Sequence, residues 1–480
     1  MFKGYISNTI GHVHWTIHAQ SSFLIPCLER ISDEISREFK ESTEDTLLTF
    51  IRKDRYKILG EFEVTHANMV QTYLVKIYKY PELIQKVKQL FKKNRGFQEF
   101  NTTYISAMKG IPVEVPVAYG EGRHLFTKKS YLIIRKIKHA STLREFFKSS
   151  VVFKERLEVL KKFGKLAKTI HDSGVKQDDF SLDNFLVYDD ETGARRVILI
   201  DFERVSIQTK FLSEKQRIWY LAKLNRAKRY FTNTERLRFL LSYAEGNFDY
   251  CKRLARQIEA VTVHIQKKDA KKFYKQCIHK NRKFVIFKNT KYYGYFKRDY
   301  SPERLLPLLD TLRGTPQEVC YINNFRIACF TEHGNTTQNY RNLKRAWMHA
   351  NALFALRIDV PVSVGVFTGY AGKLPKEGFL ISQMPENCIP LDRYNNLYSD
   401  RTPILCALLR LAEQVSPFGV FREDLSTQDI IVQTNTNPQI KCYLANYASF
   451  HINHHLMQKN RAVNTHIIRQ LLPTEDVKIP

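Results

Sequence analysis

Hydrophobic and polar positions follow two different periods along the 480-residue chain, and the changes of period mark its elements. From about Tyr56 the runs YKILGEFEV and TYLVKIYKY alternate apolar with polar residues and are rich in β-branched and aromatic side chains, which predicts strands. IPVEVPVAYGEG (111–122) and SYLIIRKI (130–137) read as further strands, the second buried by its composition. The basic stretch 81–110 between these groups is predicted helical, with Gly110 able to end it. STLREFF starts another helix, with Ser141 or Thr142 as its cap. Over 153–171, Leu157, Leu160, Phe163, Leu166, Ala167 and Ile170 fall at helical spacing and predict a core-facing stripe. Helical, basic sequence runs from Arg204 to about residue 275, and a second set of strands begins at KFVIFKNTKYYGYFKRD (283–299). Residues 1–50 are expected to be a mostly helical or irregular lead-in.

One stretch, His171–Arg204, carries the candidate chemistry. Asn184 lies five positions after Asp179 (184 − 179), and Asp201 seventeen beyond that (201 − 184). Between Asn184 and Asp201 the apolar runs FLVY and VILI flank the turn-rich DDETGA, which predicts a β-hairpin. Such a hairpin gathers Asp179, Asn184 and Asp201 at one end. Two carboxylates and an amide there suit phosphoryl transfer from a magnesium nucleotide, with one base near the acceptor hydroxyl and two oxygen ligands for a hard cation. Lys76 sits inside the apolar strand LVKIY, where an unpaired ammonium is costly. It is either a polar-face surface lysine or, as in the kinase pattern V-A-I-K, one that reaches nucleotide phosphates. Glu99, the only acid after Glu82 in the basic helical segment, is either its partner or an ordinary exposed glutamate.

The chain also resembles itself. GVFREDLSTQDIIVQTNTNPQIKCYLANY (419–447) parallels 174–202, and Asp179, Asn184 and Asp201 map to Asp424, Asp429 and Asn446 at one offset (424 − 179 = 245). The same offset takes Val115-Pro116-Val117 to Val360-Pro361-Val362. The second copy has Asn446 in place of an acid, Cys329 or Phe330 where a lysine is expected, and a helix (340–358) without any acidic residue. Loss of the metal-binding carboxylate and the lysine predicts a pseudokinase.

Composition narrows the partners. An apolar fraction of 43% and 12% aromatics describe a packed globular protein. No apolar run reaches the roughly 18 residues of a membrane span, and the amino terminus lacks a signal-peptide core. Eight scattered cysteines without a CxxC pair fit a reducing cytoplasm. The net charge of +28 calls for an anionic partner such as a nucleotide, a phospholipid surface or an anionic glycolipid. No nucleic-acid partner is expected, because no RNP-like segment, zinc-finger spacing or Gly-Arg tract accompanies the charge.

Taken together, VKIYKYP, FQEF…KGIPVEVPVAYGEG, H-x-x-G-V…D-D-F-S-L-D-N-F-L-V and ILIDFER resemble the Kdo/WaaP lipopolysaccharide core kinases, including InaA-like members. The resemblance covers roughly 55–250 and 280–450 and implies an α+β fold with two tandem protein-kinase-like domains. Each would have a small β-rich N-lobe and a helical C-lobe, with the active copy at 1–270 and the degenerate one at 271–480. It implies that Asp179 is the catalytic aspartate, that Asn184 and Asp201 hold Mg2+, and that Lys76, fixed by Glu99, binds the α/β-phosphates of ATP. The implied acceptor is a heptose or Kdo hydroxyl of the lipopolysaccharide inner core, reached from the cytoplasm or from the cytoplasmic face of the inner membrane. A protein or small-sugar kinase and an inactive scaffold or regulator of cell-envelope assembly are the alternatives. Two departures stand out: Gln177 replaces the histidine common two positions before the catalytic aspartate, and Gly60 stands alone where a glycine-rich loop is expected.

Overall fold

The computed structural model describes residues 2–452 except 37–46, 55–56, 80–93, 125–126, 150, 313–318, 332–335, 372–373, 399–401, 419, 422–425, 435–439 and 446–450. The chain divides into two compact units, Met1–Val261 and Thr262–Pro480. Each has a β-rich part followed by a helical part, an α+β arrangement.

In the first unit, seven antiparallel strands form one sheet: β1 (Tyr5–Ile10), β2 (Val13–His18), β3 (Thr49–Lys53), β4 (Lys57–His66), β5 (Met69–Tyr78), β6 (Ala118–His124) and β7 (Thr127–Arg135). Their order is β1-β2-β6-β7-β5-β4-β3. The expectation for residues 1–50 is corrected here, because two strands and a helix, α1 (Ile25–Ser36), precede β3. Val13, Trp15 and Ile17 alternate with polar residues and are fully buried, so VHWTIH obeys the strand period over too few residues to stand out. Leu28 and Ile31 of α1 pack on the same sheet face as Trp15, Val75 and Ile77.

The opposite face carries α2 (Arg95–Met108), the described part of the helix expected over 81–110. The Asn94 side chain accepts from the Gly96 amide to cap it, and Gly110 ends the segment at a φ of 76°, which glycine adopts without strain. Contact with the sheet is close. A Cβ on Gly96 would lie 2.7 Å from Ser130 Oγ.

Five helices follow: α3 (Leu143–Lys148), α4 (Phe153–Asp172), α5 (Glu214–Asn225), α6 (Asn233–Tyr243) and α7 (Phe248–Gln276), with the division between units falling inside α7. Thr142, not Ser141, caps α3 in a reciprocal capping box with Glu145. The stripe on α4 is as spaced in the sequence, with Leu160, Phe163, Leu166, Ala167 and Ile170 buried. Short strands thread between the helices: β8 (Ser141–Thr142), β9 (Val175–Gln177), β10 (Phe185–Asp189), β11 (Arg195–Leu199) and β12 (Val205–Ile207).

The second unit contains β13 (Phe284–Lys288), β14 (Tyr292–Lys297), α8 (Pro302–Leu312), β15 (Val319–Ile322), β16 (Phe325–Thr331), α9 (Thr336–Ala355), β17 (Val362–Ala371) and β18 (Leu374–Gln383). β19 (Cys388–Pro390), α10 (Leu391–Leu397), α11 (Thr402–Val415), β20 (Val420–Phe421), β21 (Ile430–Gln433), β22 (Lys441–Leu444) and β23 (His451–Ile452) follow. Its main sheet runs β13-β14-β17-β18-β16-β15, the first unit's order without the outermost strand. All eight cysteines are free thiols, and no helix among the described residues is long and apolar enough to cross a membrane.

Gly164 marks the tightest helix contact in the first unit, since a Cβ there would lie 2.5 Å from the Phe239 carbonyl oxygen and 2.9 Å from Ser242 Cβ. Gly164→Ala should therefore lower unfolding stability by about 1–3 kcal/mol despite alanine's better helix propensity. Urea denaturation of both proteins measures this, and an unchanged or raised midpoint contradicts the packing described.

Candidate active site

The predicted hairpin is present. β10 pairs antiparallel with β11 from Phe185↔Leu199 to Asp189↔Arg195, so Asn184 enters the first strand and Asp201 follows the second. The Ile200 amide donates to the Asn184 carbonyl at 2.9 Å and closes the open end. Asn184 ends a 3-10 turn, and its Nδ2 donates to the Asp179 carbonyl at 2.6 Å, which ties the two ends of the five-residue spacing together. That bond uses the amide nitrogen and leaves Oδ1 as the ligand atom.

Asp201 adopts a φ of 60°, a left-handed conformation uncommon outside glycine though tolerated by aspartate. Gln177 holds it there: Nε2 donates to the Asp201 carbonyl at 3.2 Å and to that of Ile200 at 3.4 Å. β9 also pairs with β12 through Gln177↔Val205, and the Asp178 amide donates to the Arg204 carbonyl at 3.1 Å, so both sides of the bend are pinned. Asp201 Oδ1 is buried without a hydrogen-bond partner in the protein. A carboxylate oxygen left this way is costly, and a hard cation relieves it. No group of three or more His, Cys, Asp or Glu converges to hold a metal among the described residues. Asp201 together with Asn184 would be a sparse oxygen set, one that suits Mg2+ sharing its shell with phosphates and water.

Lys76 lies opposite Leu59 of β4 and Leu132 of β7, on the sheet face that carries α2. Its Nζ is 2.6 Å from Glu99 Oε1, and the two side chains are only 12% and 3% exposed. Burial opposes the ammonium charge, but Glu99, Asp201 and Glu203 outweigh it and the Lys76 pKa ends above the usual lysine value. The other Glu99 oxygen accepts from the Tyr78 hydroxyl. Burial first, then the Glu99 charge, pushes the Tyr78 phenol well up, so it stays a donor. The open choice in the sequence is thus settled as geometry: Lys76 and Glu99 are a buried pair.

Asp179 is exposed on its loop. Lys223 of α5 donates to the neighbouring Asp178 carbonyl at 2.7 Å and lies within electrostatic reach of Asp179. Burial lowers its pKa, with Asp178 and Asp179 opposing that effect. Sequence reasoning missed Tyr78, Lys223 and the role of Gln177. Only Tyr78 had a local signal, two positions after Lys76 on the same strand face.

The second unit repeats part of this geometry. The Asp429 amide donates to Ser426 O at 3.1 Å and the Ala445 amide to Asp429 O at 2.8 Å, as Asn184 and Ile200 do 245 residues earlier (429 − 184). Asp424 and Asn446 lie outside the described residues. Strand register corrects the position assigned to the missing lysine. Lys76 faces Leu132, three residues before β7 ends at Arg135, and the residue facing Leu380, three before β18 ends at Gln383, is Ala328. Phe330 takes the place of Tyr78, and Cys329 packs against the core on the other face. Glu99 precedes the left-handed Gly110 by eleven residues (110 − 99), and Ala346 precedes the left-handed Arg357 by the same interval (357 − 346). Two residues before Ala328, buried Arg326 donates from a terminal guanidinium nitrogen to the Ala445 carbonyl at 3.0 Å.

A strand lysine paired to a helix glutamate, above a loop bearing aspartate, asparagine and a second aspartate, is the arrangement protein kinases use for a magnesium nucleotide. Residues 46–243 match the lipopolysaccharide kinase (Kdo/WaaP) family. Over 141 residues the chain is 27% identical to the 3-deoxy-D-manno-octulosonic acid kinase of Vibrio cholerae serotype O1, a match that takes in 29% of this chain and 54% of that protein. The chain thus spans about half the length of this curated relative. A solved structure of WaaP in complex with acyl carrier protein overlaps 44% of this chain and 88% of its own, with a TM-score of 0.34 and 19% identity.

Beneath the loop, His171 is buried and its Nδ1 lies 2.9 Å from the Tyr243 hydroxyl. Burial pushes its pKa down to about 3 from a usual 6.5, with Arg217 adding to the effect. As pH falls below 6.5 the unfolded chain gains a proton that the folded chain refuses until about pH 3, so this stability is complete above 6.5 and drains towards acid. His171→Gln should flatten the dependence of unfolding free energy on pH between these limits by up to ~1.4 kcal/mol per pH unit. Equal slopes for the two proteins in urea titrations at several pH values contradict this.

Proposed function

We propose that the first unit is an ATP-dependent kinase that phosphorylates a sugar hydroxyl, heptose or Kdo, of the lipopolysaccharide inner core. The observation that carries this is the buried Lys76–Glu99 pair on the sheet face whose charge environment includes Asp201. The match of residues 46–243 to the family and the similarity to a 3-deoxy-D-manno-octulosonic acid kinase support the acceptor class. The net charge of +28 suits an anionic glycolipid held at a membrane surface.

In this mechanism Lys76 neutralises the α/β-phosphates of ATP, and Glu99, bonded also by Tyr78, keeps its ammonium in place. Asp179 accepts the proton of the acceptor hydroxyl as its oxygen bonds the γ-phosphorus and the bond to the β–γ bridging oxygen breaks, releasing ADP. Asn184 and Asp201 would hold Mg2+, which would supply charge neutralisation of the phosphate oxygens. Lys223 sits beside the loop that carries Asp179, held there by its bond to the Asp178 carbonyl.

The second unit is, in this reading, a degenerate copy of the first that serves for structural support or substrate docking. The common offset, the matching strand order and the repeated loop hydrogen bonds support the duplication. Ala328, counted from the strand end, and Ala346, counted from the left-handed residue after the helix, carry no charge, and the buried cation of that strand is Arg326, bonded to the Ala445 carbonyl.

Purified protein with Mg-ATP and core glycolipid tests the proposal. Asp179→Ala should lower the transfer rate by about 100-fold or more, and Asp201→Asn by a similar or larger factor. Equal transfer by wild type and both variants refutes the assignment. Nucleotide binding without turnover on any glycolipid favours a scaffold, and activity on a protein or free sugar alone moves the acceptor. Residual activity in Asp179→Ala that disappears on adding Asp424→Ala places chemistry in the second unit.

A further inference from the structure

Lys76 has a lysine neighbour that the site described so far does not use. Lys57 begins β4 and pairs with Tyr78 across the strands, as Leu59 pairs with Lys76. Ile58 and Phe62 of β4 face the opposite core, so strand alternation puts Lys57 on the same face as Lys76 and Tyr78. Its Nζ is 3.2 Å from Glu203 Oε2, and Glu203 Oε1 is 3.8 Å from a terminal guanidinium nitrogen of Arg95 at the start of α2. Glu203 is only two residues beyond Asp201 (203 − 201), and its charge acts on Lys76 together with that of Asp201.

The hairpin that Lys57 leaves is unusual for a phosphate loop. Glycine-rich loops cradle phosphates with free backbone amides. Here the Asp54 amide is spent on the Lys57 carbonyl at 2.8 Å, and Lys53–Lys57 contains no glycine. Gly60 lies within the sheet, paired with Phe50 and Val75, where a Cβ would meet the Thr49 carbonyl at 3.3 Å. Lys76 and Lys57 both present ammonium groups on this face.

We propose that Lys57 is a second phosphate-binding lysine for the nucleotide and that Glu203 is the anion it exchanges for the phosphates. This rests on the reading of the first unit as an ATP-dependent phosphotransferase. The exchange is inexpensive. The Lys57 and Glu203 side chains are 27% and 26% exposed, and a pair so open to water is weak, whereas a polyphosphate brings several charges and many acceptor oxygens. Glu203 keeps Arg95 nearby when Lys57 turns away. Lys57 thus acts on the polyphosphate alongside Lys76, from the neighbouring strand.

Calorimetric titration of the full-length chain with Mg-ATP and with AMP decides the matter. Lys57→Ala should weaken ATP binding about tenfold while leaving AMP unchanged, and Lys57→Arg should recover part of the loss. Glu203→Gln removes the competing anion without touching the lysine and should tighten ATP binding several-fold. Equal ATP affinity in wild type and Lys57→Ala overturns the proposal, as does a matching loss for ATP and AMP, which marks a structural role. Weaker ATP binding by Glu203→Gln also overturns it, by making Glu203 a support of the site. If the wild type binds no Mg-ATP, the phosphotransferase reading itself fails and the clamp fails with it.

Discussion

A lysine buried in the middle of a sheet is tolerable only if the rest of the fold brings it an anion. In the first unit that demand falls on Lys76, and the elements around it meet the demand. α2 supplies Glu99, Tyr78 takes the second Glu99 oxygen, and the segment after β11 brings the charges of Asp201 and Glu203 within reach. Removing Glu99 alone would strand a charge in low dielectric, a loss of about 3–5 kcal/mol in comparable buried pairs. The pair thus couples the position of α2 to the sheet and to the hairpin loop. Few charged side chains in the unit are so deeply placed, and this one has a geometry that anticipates another anion.

The second unit meets a similar demand differently. Ala328 and Ala346 belong to or pack against the core that includes Trp347 and Leu353, and the buried cation of the same strand, Arg326, is met by the Ala445 carbonyl instead of a carboxylate. Replacing a buried ion pair by apolar packing is often neutral or stabilising. The sheet, the helix crossing it and the loop hydrogen bonds at Asp429 and Ala445 therefore persist without the charges. Fold stability and phosphate chemistry make separable demands on this architecture.

Much of this was legible in the sequence because it is local. The hairpin followed from two apolar runs around DDETGA, and the stripe on α4 from its 3.6-residue period. The Asp179–Asn184 spacing proved to be closed by the asparagine's own amide. What escaped was non-local. Register in the second sheet decides that Ala328, not Cys329 or Phe330, faces Leu380, and one residue of slip exchanges the faces of a strand. The six-residue alternation of VHWTIH acquires meaning only against β6, which lies far along the chain. Lys223 reaches Asp178 across 45 residues, and no spacing rule connects them.

The two departures from the kinase pattern become intelligible as substitutions of one physical means for another. An aspartate at a φ of 60° stays there only if its neighbours over-determine the bend, and Gln177 does so with a single amide bonded to two successive carbonyls. A side-chain amide carries no titratable proton, so this support is indifferent to pH where an imidazole would not be. On the sheet side, Lys53–Lys57 contains no glycine, and cationic side chains are another way to hold a polyphosphate. Amide dipoles act only where the backbone passes close to the phosphate, whereas an ammonium on a four-carbon stem reaches it from the end of β4. The absent histidine and glycines therefore leave Gln177 and Lys57 as the residues proposed to stand in their place.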